Sequence, residues 1–112
     1  IVSSLEGGYD LDGLPGVAIE VKRVEQLSIG TWWGQTVKQA TDNSIALLVY
    51  RQNRKPWTFV MRPYDVTDYR HAEDFEPWQF KYLNMHNETV YQLTEEQFAE
   101  WVIAYVENEL LD

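Results

Sequence analysis

Residues 13–23 read Gly-Leu-Pro-Gly-Val-Ala-Ile-Glu-Val-Lys-Arg. The Pro15-Gly16 pair signals a turn, and the β-branched run behind it, Val17 to Arg23, a strand. Side chains alternate along a strand, so Glu20 and Lys22 project to one face while Ile19 and Val21 face the other way. At roughly 3.3 Å of rise per residue the carboxylate and the ammonium stand about 7 Å apart along the strand. Upstream, Gly7 to Gly16 is rich in Gly, Pro and Asp and reads as a turn or a short strand ending in one.

Downstream, Thr31 to about Asn43 has a helical pattern, with Trp33, Val37 and Ala40 on one face. Gly34 weakens that helix by roughly 1 kcal/mol relative to Ala. Ile45 to Tyr50 (IALLVY) is continuously apolar, the pattern of a strand covered on both faces. A polar turn, Gln52 to Pro56, separates it from a second strand over Trp57 to Met61. Pro63 to Pro77 reads as an acidic connector, followed by short strands near Trp78–Tyr82 and Thr89–Gln92. Thr94 with Gln97 makes a capping box opening a last helix, whose apolar stripe is Phe98, Trp101, Val102 and Tyr105. This order predicts an α/β (α+β) fold, a mixed central sheet flanked by helices, in a single domain over residues 1–112.

Composition narrows the classes. The chain has 112 residues, 45% of them hydrophobic and 14% aromatic, enough to build a core. It has no cysteine, which excludes disulfide frameworks and thiolate metal sites. No apolar run approaches the roughly 20 residues of a membrane span, and residues 1–6 have neither the basic nor the apolar region of a signal peptide. The expectation is a soluble cytoplasmic protein with no membrane partner. The formal net charge is −9, but it is uneven: +1 through Arg62 and −10 from Pro63 onward. The whole repels nucleic acid, yet the first half can still present a local basic face.

Asp10 precedes the Gly13–Gly16 turn, which can fold it back beside Glu20. Two carboxylates at one strand end make a hard oxygen site for Mg²⁺ or Mn²⁺. A lysine alongside can hold a water and offset charge building on a phosphate, so the set suits metal-assisted phosphodiester hydrolysis. Glu-x-Lys alone is equally the signature of an exposed surface ion pair worth roughly 0–1 kcal/mol.

Asp10, Glu20-x-Lys22 and a following helix with Gln39 together resemble the PD-(D/E)xK nuclease motif. The longer run Gly13 to Glu25, then Gln39-Ala40, then Arg51-Gln52-Asn53-Arg54-Lys55-Pro56-Trp57, is similar to the phage-type Holliday junction resolvase branch, over roughly residues 9–62. The resemblance implies a restriction-endonuclease-like fold and a Mg²⁺- or Mn²⁺-dependent DNA endonuclease, acting on branched or duplex DNA as a homodimer in phage-encoded DNA recombination. It implies Asp10, Glu20 and the backbone carbonyl of Val21 as metal ligands, with Asp12 as the alternative acid. Lys22 becomes the water-positioning lysine and Gln39 an orienting group. Arg23, Arg51, Arg54 and Lys55 become phosphate contacts.

Two features depart from that pattern. The family type carries a glutamate-bearing helix upstream of its aspartate, whereas nine residues precede Asp10, and the acidic segment after Pro63 does not match. They support a rival expectation, a non-catalytic nuclease-like fold whose acidic extension, residues 63–112, binds a protein or imitates DNA. His71 and His86 lack metal-pair spacing and read as surface or turn residues. Asp65, Asp68, Glu73 and Asp74 lack the pattern of a calcium loop and read as a solvated connector. Trp32 falls near the Gln35 and Gln39 side, where packing is the first reading and stacking on a base the second.

Overall fold

The computed structural model describes residues 13–40, 44–69 and 80–111. After the turn at Pro15-Gly16 the chain enters β1 (Val17–Val24), crosses through α1 (Ile29–Gln39) and returns in β2 (Ile45–Gln52). β1 and β2 are parallel, with Val17 beside Ile45 and Val24 beside Gln52. A tight turn leads to β3 (Thr58–Met61), then a short helix, α2 (Pro63–Thr67). A hairpin of β4 (Lys81–Met85) and β5 (Glu88–Leu93) precedes α3 (Glu95–Tyr105), whose end widens into one π-helical turn over Val106–Leu110. The five strands form one sheet in the order β1-β2-β3-β5-β4, all pairs after the first being antiparallel. A mixed sheet flanked by helices is thus the observed architecture. Among the described residues, no helix is long and apolar enough to cross a membrane.

The apolar run Ile45–Tyr50 is buried at every position, as a strand covered on both faces must be. Its odd residues, Ile45, Leu47 and Val49, join Phe59, Phe98 and Trp101 beneath α3. Its even residues, Ala46, Leu48 and Tyr50, pack with Trp32 and Trp33 of α1. Phe59 and Phe98 stack at 4.1 Å between ring centroids, and Trp101 stacks on Tyr105 at 4.9 Å. The capping box at Thr94 forms in both directions.

Several expectations need correction. The first helix spans Ile29–Gln39 rather than Thr31 to Asn43, because Ile29 packs on the α1-side core and Trp32 N–H bonds the Ser28 carbonyl; residues 41–43 lie outside the described set. The connector from Pro63 begins instead as helix. Proline occupies its first turn, where a missing N–H costs nothing, and Val66 is fully buried. Asp65 is buried rather than solvated, at 8% exposure, and the Trp101 indole donates to its backbone carbonyl. Trp32 is likewise core, with its ring 6.0 Å from that of Tyr50, so it has no free face for a base. The strand expected near Trp78–Tyr82 lies instead at Lys81–Met85, residues 78 and 79 being outside the described set, while the one expected at Thr89–Gln92 is present within Glu88–Leu93. Its turn residues His86 and Asn87 have φ of 51° and 63°, the left-handed pair that a two-residue turn of this hand requires. His86 is exposed, as a turn residue should be, and its Nε2–H donates to the Gly30 carbonyl at 2.6 Å. Gly30 and Gly34 of α1 lie beneath the ring, and a Cβ on Gly34 would meet it at 3.6 Å.

Candidate active site

The Gly13–Gly16 turn sets the start of β1. Leu14 is buried in the α3-side core, Val17 N–H closes the turn onto the Leu14 carbonyl at 3.0 Å, and Gly16 carries φ +83°. The Tyr105 hydroxyl of α3 donates to the Pro15 carbonyl and sits 2.6 Å from where a Cβ on Gly16 would stand. A side chain at position 16 would therefore be strained and would collide with Tyr105. The last helix holds the turn that delivers the candidate strand.

Along β1, Ile19 and Val21 pack toward the α3-side core while Val24 packs toward α1. Glu20 and Lys22 accordingly share the α1 face, and their side chains meet, with Nζ 3.3 Å from Oε1. Both are about a quarter exposed, at 20% for Glu20 and 29% for Lys22. Lys22 stands beside Tyr50 and Glu20 beside the buried Leu48. Among the described residues β1 pairs only with β2, leaving its other edge open.

The direction of the Val21 carbonyl follows from the ladder. Gly16 O accepts from Ile45 N–H at 2.8 Å, so that carbonyl points toward β2. Carbonyl directions alternate along an unbroken strand, and the register runs unbroken from Val17 to Val24. The Val21 carbonyl therefore faces the open edge, flanked in sequence by Glu20 and Lys22. Asp10 and Asp12 lie outside the described residues, as does His71. Among the described residues no three metal-ligating side chains gather. The donors that are described, one carboxylate and one carbonyl, are hard oxygens of the kind Mg²⁺ and Mn²⁺ prefer.

Gln39 is the last residue of α1 and is exposed. Trp32 sits against Tyr50, level with Lys22, and the seven residues from there to Gln39 retrace about 10 Å. The end of α1 thus lies over the first half of β1, on the face that Glu20 and Lys22 use. The basic residues divide. Arg23 is exposed and, by alternation, sits on the face opposite Lys22, directly across from Arg51 in the β1–β2 register. The Arg51 guanidinium lies over Trp57, 5.7 Å from the ring centroid. Arg54 and Lys55 are exposed in the β2–β3 turn, which closes through Lys55 N–H to the Gln52 carbonyl at 2.9 Å. Glu25, after β1, accepts from Asn53 at 3.2 Å and, through its carbonyl, from Gln52 at 2.8 Å, joining the two strand ends.

Two features escaped the sequence. One is a clamp: Glu88 accepts from the Trp33 indole at 2.6 Å and from Arg62 at 3.1 Å, tying α1 to β5 and to the start of α2. No local signal marks residues 55 positions apart as partners. The other is Tyr50, whose hydroxyl accepts from Gln92 at 3.1 Å across the sheet and whose acidity burial lowers by raising its pKa. In sequence it is indistinguishable from the apolar run that it ends.

Comparison with known proteins gives one result. No curated protein and no solved structure matches the chain. A family model described as "Phage putative PDDEXK endonuclease" matches residues 13–112, from the turn before β1 to the C-terminus. With its Glu20-Val21-Lys22 strand inside the matched range and a mixed, helix-flanked sheet around it, the chain belongs to that phage endonuclease family of the PD-(D/E)xK kind.

Proposed function

We propose that the protein is a metal-dependent endonuclease that hydrolyses DNA phosphodiester bonds, with branched junctions of the Holliday type as its preferred substrate and a homodimer as its working form. The observation that carries the proposal is local to β1. Glu20 and Lys22 meet at 3.3 Å on one face of an edge strand whose Val21 carbonyl turns to the open side. Glu20 and Val21, with Asp10 or Asp12, would hold Mg²⁺ or Mn²⁺, which when bound supplies Lewis-acid polarisation of the phosphate. Lys22 positions the attacking water and counters negative charge growing on the phosphate oxygens. Its carboxylate partner holds the ammonium in place until substrate arrives. Gln39 orients groups from the helix above, and Arg23, Arg51, Arg54 and Lys55 take phosphates around the strand ends.

The test is cleavage of end-labelled four-way junction and linear duplex with Mg²⁺ or Mn²⁺. Lys22→Ala should lower the rate by about 10²–10³-fold, the usual cost of one charge-stabilising group, and Glu20→Gln should do the same. Equal inactivity of wild type and Lys22→Ala, both folded by circular dichroism, would remove the catalytic reading. The −10 balance after Arg62 favours one rival, a catalytically silent module that imitates DNA. Salt separates them. An enzyme gripping phosphates through Lys and Arg binds DNA more weakly as salt rises, whereas the mimic binds none at any salt.

A further inference from the structure

At the end of the sheet beyond the β2–β3 turn lies a groove of about 440 Å³. Its floor is a polar row on the α1 face. The register sets Lys22 beside Tyr50, Tyr50 beside Thr58, and Lys81 beside Gln92, and Gln92 bonds the Tyr50 hydroxyl. Met85, two places along from Leu83 and four from Lys81, packs into the α1-side core, which puts Lys81 on the same face. Tyr50, Thr58, Gln92 and Lys81 line the groove, with Lys55 on the turn and Leu27, 43% exposed, at the rim. The charge of this lining is unusual for the molecule. In a chain with twice as many acidic as basic residues, the lining contains two lysines and no carboxylate. Two acids, Glu95 and Glu96, adjoin that lining in sequence, and Glu95 accepts from the Trp57 backbone N–H at 3.0 Å.

We infer that this groove receives an unpaired DNA strand running on from the Glu20–Lys22 site, with Lys81 and Lys55 holding its phosphates and Gln92, Thr58 and Tyr50 beneath its bases. The inference deepens the endonuclease reading and rests on DNA being the substrate. Three observations carry it. The lining carries two lysines and no carboxylate, a charge that complements a phosphodiester backbone. The row begins at Lys22, so a strand leaving that lysine meets Tyr50 and then the groove. The volume is that of a small-ligand site, on the scale of a nucleotide or two, so a single strand fits where a duplex does not. Amides and a hydroxyl along the floor can meet base edges, and Trp57 and Pro56 give an apolar wall.

The experiment is fluorescence anisotropy in EDTA with two dye-labelled probes, a blunt duplex and the same duplex carrying a single-stranded tail, alongside cleavage of the blunt duplex in Mg²⁺. Wild type should bind the tailed probe several-fold more tightly. Lys81→Glu, exposed on an edge strand and therefore expected to fold, should abolish that preference, and its log–log salt slope on the tailed probe should be shallower by about 0.7 per lost phosphate contact. Leu27→Asp, which sets a carboxylate at the rim, should weaken the tailed probe alone. Blunt-duplex cleavage should stay within twofold of wild type in both variants. A wild type without tail preference, or variants that keep it, would overturn the groove assignment while leaving the endonuclease reading intact. Tail binding lost in Lys81→Glu, in a protein whose wild type cuts no DNA, would support the groove and remove the endonuclease reading.

Discussion

Asp65 is the residue whose environment most clearly opposes its chemistry. Burial in α2 pushes its carboxyl up to about 6; the charge of Arg62 pulls the other way without prevailing, and Asp68 adds repulsion. An acid held above its unfolded value binds a proton more tightly when folded, so its contribution to stability declines as pH rises. The decline runs from about pH 4, the ordinary carboxylate range, through about 6, and is complete above that. Asp65→Asn should therefore melt higher than wild type at pH 7, with the gap closing toward pH 4, as measured by thermal unfolding across that range. A gap of constant size would show that titration of Asp65 is not its source. Single residues were legible in sequence where a local rule applied. The alternation that put Glu20 and Lys22 on one face needs only two positions and a strand; the side chains bend together across the roughly 7 Å of strand rise to meet at 3.3 Å, which the spacing did not give. Asp65 was not legible, since its neighbour is Trp101, 36 positions away.

At the level of elements, the turn between β2 and β3 combines a structural cost with a proposed role. Arg54 has φ 64°, a conformation that costs a side-chain-bearing residue roughly 1–2 kcal/mol. Arg54→Gly removes that strain, less the roughly 0.5–1 kcal/mol of extra entropy that glycine loses on folding. Stability should be unchanged or higher by up to about 1.5 kcal/mol in a urea titration. DNA affinity should nevertheless fall, with the salt slope reduced by about one contact. A variant equally stable and binding DNA as before would take Arg54 out of the phosphate contacts. The elements themselves were mostly readable. β1, β2 and α3 follow from Val17–Arg23, from the apolar run at 45–50 and from the Thr94–Gln97 box. α2 was hidden because its five residues are too few to show a period and their acidity suggested solvent. The α1 boundary moved because Ile29 packs on the α1-side core and the carbonyl of Gly30, a poor helix former, accepts from His86. That contact comes from a hairpin 56 residues on.

On the scale of the whole molecule, the charge boundary at Arg62 invites a division that the sheet does not follow. β5, from the acidic half, pairs with β3 inside the sheet, between β3 and β4. Leu93, Phe98, Trp101 and Tyr105 from the same half close the core beneath β2 and β3. Tyr105 reaches back to the Pro15 carbonyl at the turn before β1. A fragment ending at Arg62 would retain every basic candidate except Lys81, and the Glu20–Lys22 pair as well. It would still lose four buried large side chains, each worth about 2–5 kcal/mol when truncated, against a total stability of about 5–15 kcal/mol for a domain. The fragment should therefore be unfolded, with narrow amide proton dispersion by NMR and no cooperative thermal transition, and should cut no DNA. A folded fragment of residues 1–62 would mean that the acidic half is an appendage, and the tie from Tyr105 to Pro15 would then count for little in setting β1. If the fragment is unfolded, as the pairing of β5 with β3 requires, the acidic half serves the candidate site by holding its strand in place, whatever else its charge is for.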